Sequence, residues 1–224
     1  MNIEPIAFFH SPMSSKFGVP RQSGLVNSLR GQVVFVPDFR SMDAVRGLAL
    51  FDYLWLIWGF SENIGAEKHA TVRPPLLGGN KRMGVFATRS PFRPNNIGLS
   101  SVRLTRIELS TPQGPVLHVE GADLMDGTPI LDIKPYLPFT DSHPEATGGF
   151  TDETMAERPL NVEIPPTLAQ RFSPAQLLTL KYLLAGDPRP RYQDDPARIY
   201  TLVYAGQEVK FRVSNGLLSV ILPQ

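Results

Sequence analysis

The sequence contains no cysteine among its 224 residues. This absence excludes disulfide bonds, zinc sites built on thiolates and cysteine nucleophiles, and it fits a reducing compartment. Long hydrophobic runs are also absent, since the apolar block at residues 54–60 is far shorter than the roughly 20 residues that span a bilayer. The first residues lack the basic segment of a secretory signal. We therefore expect a cytoplasmic protein that does not enter a membrane.

The charge is nearly balanced, with 22 basic and 21 acidic side chains, so the net charge of +1 indicates no class of partner. Hydrophobic residues make up 42% and charged residues 19% of the chain, which is typical of a globular protein. The sequence has neither a Gly-x-Gly-x-x-Gly motif for a dinucleotide nor a Gly-x-Ser-x-Gly motif for a serine nucleophile. The four histidines are too widely spaced to form a ligand pair, and we expect no metal: His10, His69, His118 and His143.

Proline and glycine are frequent, with 22 and 18 residues spread along the chain, and they divide it into short elements. Segments rich in β-branched, aromatic and aliphatic residues predict strands at 3–9, 32–36, 53–60, 84–88, 97–109, 116–121 and 129–133. One short helix is predicted at 42–50, with Ser41 as its N-cap. The first part of the chain therefore reads as a mainly β barrel or sandwich.

The sequence pattern changes after Pro138. Residues 141–159 show no helical or strand period and are interpreted as a linker. Ser173 and Gln176 then form the capping-box pattern of a helix that ends near Gly186. Three further strands are predicted at 199–204, 208–213 and 217–222, with a hairpin turn at Asn215-Gly216. We predict a β domain at residues 1–140, the linker, and a small α+β domain at 160–224.

One segment carries a local excess of positive charge. Residues 68–107 contain eight basic side chains and no Asp or Glu: Lys68, Arg73, Lys81, Arg82, Arg89, Arg93, Arg103 and Arg106. Such a run forms either an anion-binding face or a solvated surface whose partners lie elsewhere. Arg89 and Arg93 favour function, because they lie among Gly, Pro and Asn in a segment typical of a shaped loop.

Other charged and aromatic clusters have a structural alternative. Asp123 and Asp126 flank what is most simply an ordinary Asp-Gly turn. Asp132 and Lys134 share one face of a strand, where an internal ion pair is the plainest interpretation. The aromatic stretch at 51–60 is interpreted as core.

Five segments together resemble a known family. They are 19–25 (VPRQSGL), 73–75 (RPP), 84–95 (GVFATRSPFRPN), 126–129 (DGTP) and 132–136 (DIKPY). They are similar to the TrmO (TsaA-like) family, whose signature is the segment around residues 89–95. Residues 187–192 (DPRPRY) also resemble the C-terminal part of the full-length bacterial members, so the resemblance covers nearly the whole chain.

The resemblance implies a single-sheet β-barrel that forms homodimers, with no metal. It implies a tRNA (adenine(37)-N6)-methyltransferase that uses S-adenosylmethionine and recognises the anticodon loop. The product in the family is N6-methyl-N6-threonylcarbamoyladenosine, next to the anticodon of threonine tRNA.

Carried over to this chain, the family's cofactor contacts fall in four loops, on Pro20, Arg21, Gln22, Ser61, Glu62, Arg89, Leu99, Leu124, Met125, Asp126 and Gly127. The expected tRNA contacts are Arg93, Lys134, Arg189 and Tyr192. No general base is assigned. Asp126 and Lys134 are the nearest candidates, the first to orient the cofactor and the second to pair with the threonyl carboxylate.

Two positions depart from the family pattern. Ser61 stands where many members have histidine, and Asn96 stands where they have proline. Two alternatives to the family activity therefore stay open. One is a non-catalytic RNA-binding barrel with a vestigial cofactor pocket, and the other is a methyltransferase that acts on a different substrate.

Overall fold

Six antiparallel strands close into a barrel in the first part of the chain. The computed structural model describes residues 2–154, 159–190 and 195–222. The barrel strands are β1 (Ala7–His10), β2 (Arg30–Phe35), β3 (Tyr53–Gly59), β6 (Ile97–Glu108), β7 (Val116–Glu120) and β8 (Thr128–Pro135). Their order around the barrel is β1-β2-β7-β6-β3-β8, and β1 closes it by pairing with both β2 and β8. The predicted single-sheet β-barrel is confirmed.

Strand β3 shows how the barrel interior is filled. Leu54, Leu56 and Trp58 are buried, whereas Tyr53 is exposed, because a strand presents alternate residues to opposite faces. The prediction that the aromatic stretch at 51–60 forms core is therefore correct for Trp58 and wrong for Tyr53.

The C-terminal part forms a second sheet with one long helix. Its strands are β9 (Asn161–Glu163), β10 (Tyr200–Tyr204), β11 (Gln207–Ser214) and β12 (Leu217–Ile221), in the order β10-β11-β12-β9. Strand β9 pairs parallel with β12, and the other pairs are antiparallel. Asn215 and Gly216 both have positive φ, 51° and 76°, as a tight hairpin turn requires, and the predicted hairpin is confirmed.

The helices of this half are α1 (Pro138–Asp141), α2 (Phe150–Thr154), α3 (Pro166–Ala169) and α4 (Pro174–Ala185). The capping box predicted for α4 is present, since the Ser173 side chain accepts from the Gln176 backbone and the Gln176 side chain accepts from the Ser173 backbone. Gly186 is the C-cap, as predicted. Two short helices, α1 and α2, overlap the segment interpreted as a linker. Within the three described ranges, no helix has the length and apolar character needed to cross a membrane.

Two predicted elements take a different form. The predicted strand at 84–88 is wrong beyond Gly84: β5 (Met83–Gly84) pairs only with β4 (Thr71–Val72), and a 3-10 turn follows at Val85–Ala87. The Thr88 hydroxyl donates to the Val85 carbonyl at 2.8 Å, and such a local hydrogen bond competes with strand pairing.

The predicted helix at 42–50 is wrong in its length. It is divided into two 3-10 turns, Met42–Val45 and Leu48–Leu50, by Gly47, which has a left-handed φ of 83°. Ser41 does cap the first turn, by accepting from the Asp43 backbone N–H. Further 3-10 turns lie at Pro37–Phe39, Ser61–Asn63 and Pro75–Leu77.

The segment at residues 11–29 joins the two sheets. Met13, Val26 and Leu29 are buried in the same cluster as the C-terminal side chains. The Pro12 carbonyl accepts from the Ala205 N–H at 2.8 Å. This segment therefore packs with the second core, although it precedes most of the barrel in sequence.

Candidate active site

The loops that the resemblance assigns to a cofactor leave from one end of the barrel. Here β3 ends at Gly59 opposite Ile97 of β6, and Thr128 of β8 lies opposite Phe9 of β1. We call this the site end. The turn at residues 121–127 lies here because it connects the end of β7 to the start of β8, and its Gly121 carbonyl accepts from the Gly24 N–H at 2.8 Å. The segment at 11–29 thus runs beside the turn before β8.

Gln22 and Arg89, predicted in two different loops, are in direct contact. The Arg89 guanidinium donates to the Gln22 side-chain oxygen, and Arg89 is otherwise exposed. Arg93 is half-buried, and its Nη1 donates to the Thr88 carbonyl at 3.1 Å. Arg89 therefore presents a cation at the site end, whereas Arg93 also shapes the loop that carries Arg89.

Asp123 is a carboxylate in the turn at residues 121–127, and the charge of Arg89 acts on it. Its Oδ1 accepts from the Ser100 hydroxyl at 2.5 Å, and its carboxylate also accepts from the Ser23 backbone N–H. Burial raises the pKa of the Asp123 carboxyl above its ordinary value, although these hydrogen bonds and the charge of Arg89 act in the opposite direction. A charged group held in such a position is typical of functional sites.

A chain of contacts leads from Asp123 to the loop with Ser61 and Glu62. The Ser100 hydroxyl that donates to Asp123 accepts from Trp58 Nε1 at 2.9 Å. The Trp58 ring packs edge-on against Phe60, with centroids 4.3 Å apart, directly before Ser61. Lys16 also contacts the 3-10 turn at Ser61–Asn63, because its Nζ donates to Asn63 Oδ1 at 3.0 Å.

The carboxylate and the backbone N–H of Asp126 contact residues of the segment that follows β1 and of β1 itself. Its Oδ1 accepts from the Ser11 N–H at 3.0 Å and lies 3.3 Å from His10 Nδ1. The backbone N–H groups of Asp126 and Gly127 donate to the carbonyls of Met13 and Phe9, each at 2.8 Å. These two N–H groups are therefore engaged within the protein.

The neighbouring hydrophobic positions differ in exposure. The Leu124 side chain is 1% exposed and belongs to the barrel core, whereas Leu99 is 53% exposed on β6. Any contact of Leu124 with a ligand must use its backbone, while Leu99 offers an apolar side chain at the surface.

Lys134 lies away from this cluster. It is six residues beyond Thr128 on the same strand, and a rise of about 3.3 Å per residue separates them by about 20 Å. Its Nζ lies 2.9 Å from Asp132 Oδ2, which is the ion pair that the strand period suggested. The structure therefore does not bring Lys134 together with Asp126.

The C-terminal part contacts the loop of Gln22 through Arg21. Arg21 Nη2 donates to the backbone carbonyls of Asp187 and Arg189, both at 2.9 Å. The Arg189 side chain is only 11% exposed and pairs with the Asp187 carboxylate. Tyr192 lies outside the described residues.

The positively charged segment divides into two groups. Arg103 lies 3.9 Å from Glu120, and Arg106 lies 2.9 Å from Glu108, so these two form surface ion pairs. Five others are exposed on loops and short strands: Lys68, Arg73, Lys81, Arg82 and Arg89. The exposed cations N-terminal to β6 fit both alternatives that the sequence left open, an anion-binding face and a solvated surface.

Sequence reasoning missed three residues of the site, namely Ser23, Ser100 and Asp123. Asp123 was visible only as part of an Asp-Gly turn, and Ser100 only as one position of a strand. Their contacts join residues 23, 100 and 123. No local sequence signal reports such contacts, because they arise when the barrel closes.

Comparisons with known proteins find a family model, curated relatives and solved structures that match this chain. The profile of the tRNA-methyltransferase O N-terminal domain matches residues 8–142. A tRNA (adenine(37)-N6)-methyltransferase of Escherichia coli K12 is 40% identical over 220 residues, which cover 95% of this chain and 93% of that protein. A candidate S-adenosylmethionine-dependent methyltransferase of Pseudomonas aeruginosa PAO1 is 36% identical over 215 residues, covering 89% of this chain and 87% of that protein. The crystal structure of TrmO from Pseudomonas aeruginosa superposes with a TM-score of 0.75 at 31% identity, covering 99% of this chain and 97% of that chain.

Proposed function

The chain belongs to the tRNA-methyltransferase O family, and we propose that it methylates tRNA with S-adenosylmethionine as the methyl donor. The proposed target is N6 of threonylcarbamoyladenosine at position 37 of threonine tRNA. The observation that carries the proposal is the contact of Gln22 with Arg89 at the site end of the barrel, where the charge of Arg89 also acts on Asp123. The named activity of the Escherichia coli relative supports the choice of reaction.

The residues at the site end fit the cofactor by their chemistry. S-adenosylmethionine carries a carboxylate, an ammonium group, ribose hydroxyls and an adenine. Arg89 supplies a guanidinium suited to a carboxylate, Glu62 an exposed carboxylate suited to an ammonium or hydroxyl, and Leu99 an exposed apolar surface. We propose that these residues hold the cofactor together with Pro20, Arg21, Gln22, Ser61 and the backbone at 124–127.

When bound, S-adenosylmethionine supplies a methyl group on a sulfonium, whose thioether is a good leaving group. The protein then has to orient the two reactants and exclude water, and correct positioning alone lowers a barrier by several kcal/mol, up to about 10. In the proposed site, the hydrogen bonds from Arg89 to Gln22 and from Ser23 to Asp123 keep the binding loops in a fixed arrangement, which orients the reactants. We assign no general base. Unchanged turnover after Asp126→Ala or Lys134→Ala would exclude the residue concerned.

The exposed cations before β6 are the proposed contacts of the anticodon loop, with Arg93 at their edge. A loop base is accessible without opening a duplex, and phosphate contacts by Lys and Arg supply affinity. Binding should therefore weaken steeply as salt is raised. Arg73, Lys81 and Arg82 are suitable probes, because all three are exposed.

The homodimer implied by the resemblance is also part of the proposal. Three large apolar side chains are strongly exposed, Leu50 at 86%, Phe86 at 80% and Phe139 at 84%, and a partner that covers them would remove this surface from water. Light scattering on the purified chain tests this directly. A tRNA substrate also agrees with a place in the cytoplasm.

The decisive experiment incubates the purified chain with S-adenosylmethionine and tRNA that either carries or lacks threonylcarbamoyladenosine. Nucleoside mass spectrometry should then find one new methyl group, on that nucleoside alone. Arg89→Ala should reduce the product strongly, while Arg103→Ala, at a surface ion pair, should not. Absence of the methyl group from both tRNAs, with a folded wild-type protein, would favour an RNA-binding module or another substrate.

A further inference from the structure

We propose that Asp123 is a positioning residue whose carboxylate holds the loops of the cofactor site in their binding arrangement. This inference rests on the proposed function, because it assigns a role within that same site. The resemblance places cofactor contacts on residues 124–127 and not on Asp123. The assignment comes instead from the contacts that this side chain makes.

The Asp123 carboxylate accepts hydrogen bonds from residues that lie next to two of the predicted cofactor contacts. It accepts from the Ser23 N–H next to Gln22, and from the hydroxyl of Ser100 next to Leu99. The loop of Arg89 is reached through that residue's charge, which acts on the carboxylate. Arg89 in turn donates to Gln22. The segment with Gln22 and Ser23 and the loop of Arg89 therefore interact with each other and with Asp123.

The fourth loop is reached through Ser100. This hydroxyl donates to Asp123 and accepts from Trp58 Nε1, and the Trp58 ring packs against Phe60, which precedes Ser61. Trp58 is 8% exposed and Ser100 is 1% exposed. A buried relay of this kind transmits a change at Asp123, since packed side chains have few alternative arrangements.

The charge of Asp123 has an energetic cost in the folded protein. Burial is the largest influence on its pKa and raises it, so the folded state favours the protonated carboxyl relative to the unfolded chain. Ionisation therefore lowers stability as the pH rises from the ordinary carboxyl pKa through the folded value. The hydrogen bonds from Ser100 and Ser23 and the charge of Arg89 act against this cost, because each of them favours the ionised carboxylate.

The test uses the full chain and compares wild type with Asp123→Asn, which keeps the shape and removes the charge. Calorimetry measures the Kd for S-adenosylmethionine between pH 5 and 8, and thermal scans measure Tm. We expect Asp123→Asn to weaken binding by at least tenfold while its Tm at pH 8 equals or exceeds that of wild type. Wild-type affinity should also fall as the pH falls through the folded pKa of Asp123, on which Arg89 is the charged group acting, and the variant should lose this dependence.

Two further variants control the result. Asp52→Asn changes an exposed carboxylate directly before β3 and should leave the Kd unchanged. Ser100→Ala removes one donor and should weaken binding by a smaller factor, with an effect that largely disappears in the Asp123→Asn background.

Each adverse result has a distinct meaning. Equal binding by wild type and Asp123→Asn would overturn the positioning role and leave the proposed function intact. A loss of Tm at pH 8 in step with the loss of binding would show a structural role only, and would also overturn it. If wild type itself does not bind S-adenosylmethionine, the proposed function fails, and this inference fails with it.

Discussion

Arg189 donates two hydrogen bonds of 2.8 Å to the Asp187 carboxylate, from Nε to Oδ1 and from Nη2 to Oδ2. Asp187 has a positive φ of 48°, an uncommon conformation for a residue with a side chain. The backbone carbonyls of both residues accept from Arg21. The pair thus fixes the C-terminal segment that contacts the proposed cofactor loop.

Arg189→Ala is therefore expected to act on the cofactor loop more than on RNA binding. It should raise the Kd for S-adenosylmethionine by about tenfold, about 1.4 kcal/mol, because it leaves the Asp187 carboxylate without its bidentate partner. The salt dependence of tRNA binding should stay unchanged. Calorimetry and filter binding over a salt series measure the two effects.

Arg171→Ala is the matched control for Arg189→Ala, since it removes an exposed arginine from the same part of the chain. It should leave both affinities unchanged. The opposite pattern for Arg189→Ala, with weaker tRNA binding, a salt slope reduced by about one and normal cofactor binding, would identify Arg189 as a phosphate contact.

Much of the fold follows from local signals in the sequence. The capping box at Ser173 and the Asn215-Gly216 turn were predictable, because each depends on neighbours within a few residues. The barrel strands were predictable from short apolar segments between turn formers. The 3-10 turn at Val85–Ala87 was not, because the segment has the β-branched and aromatic residues of a strand while both the N–H and the hydroxyl of Thr88 donate to the Val85 carbonyl.

The site was predictable only in part. The resemblance supplies Gln22 and Arg89, and the structure places them in contact. Asp123 was missed because its partners are far away in sequence, and its burial depends on barrel closure. The separation of about 20 Å between Thr128 and Lys134 follows once both are known to lie on one strand, and the strand period did predict the pair of Lys134 with Asp132.

Gly98→Ala should destabilise the barrel and disturb the site. A Cβ at Gly98 would lie 2.3 Å from Cε2 of the buried Trp58 ring, and Trp58 cannot move without losing its hydrogen bond to Ser100. Overpacking of this kind costs about 1–3 kcal/mol. Urea unfolding should show the loss, and the Kd for S-adenosylmethionine should rise as well.

Gly84→Ala provides the comparison for Gly98→Ala. Gly84 has a φ of −57°, and a Cβ placed there would meet nothing within 4 Å. Its urea midpoint should match that of wild type. If both variants unfold at the wild-type midpoint, that result would contradict the close contact between Gly98 and the Trp58 ring.

Ser173→Ala should destabilise the C-terminal part without affecting the barrel site. It removes the side-chain acceptor of the capping box at the start of α4, at a cost of about 1 kcal/mol. Thermal unfolding followed by circular dichroism measures this loss. Ser173→Asp should restore most of the stability, because aspartate is also a good N-cap and adds a negative charge near the helix N-terminus.

The ionised Asp141 carboxylate should stabilise the folded protein, and this stabilisation should be lost when the pH is lowered into the acid range. Its Oδ2 accepts from the Leu137 N–H at 2.9 Å and from Trp55 Nε1 at 2.7 Å, and these hydrogen bonds lower the pKa of the carboxyl below its ordinary value. A lowered folded-state pKa gives stability that is present above the unfolded pKa and is lost as the pH falls through the folded value.

Asp141→Asn should therefore have a lower Tm than wild type at pH 7, and the difference should shrink below the ordinary pKa of aspartate. Trp55 is one of two tryptophans, so its fluorescence should change over the same acid range in wild type and not in the variant. Asp38→Asn, at an exposed carboxylate, should behave as wild type in both measurements. A Tm difference that is the same at pH 7 and in acid would show that the charge of Asp141 does not contribute, because only an ionised carboxylate loses its contribution on protonation.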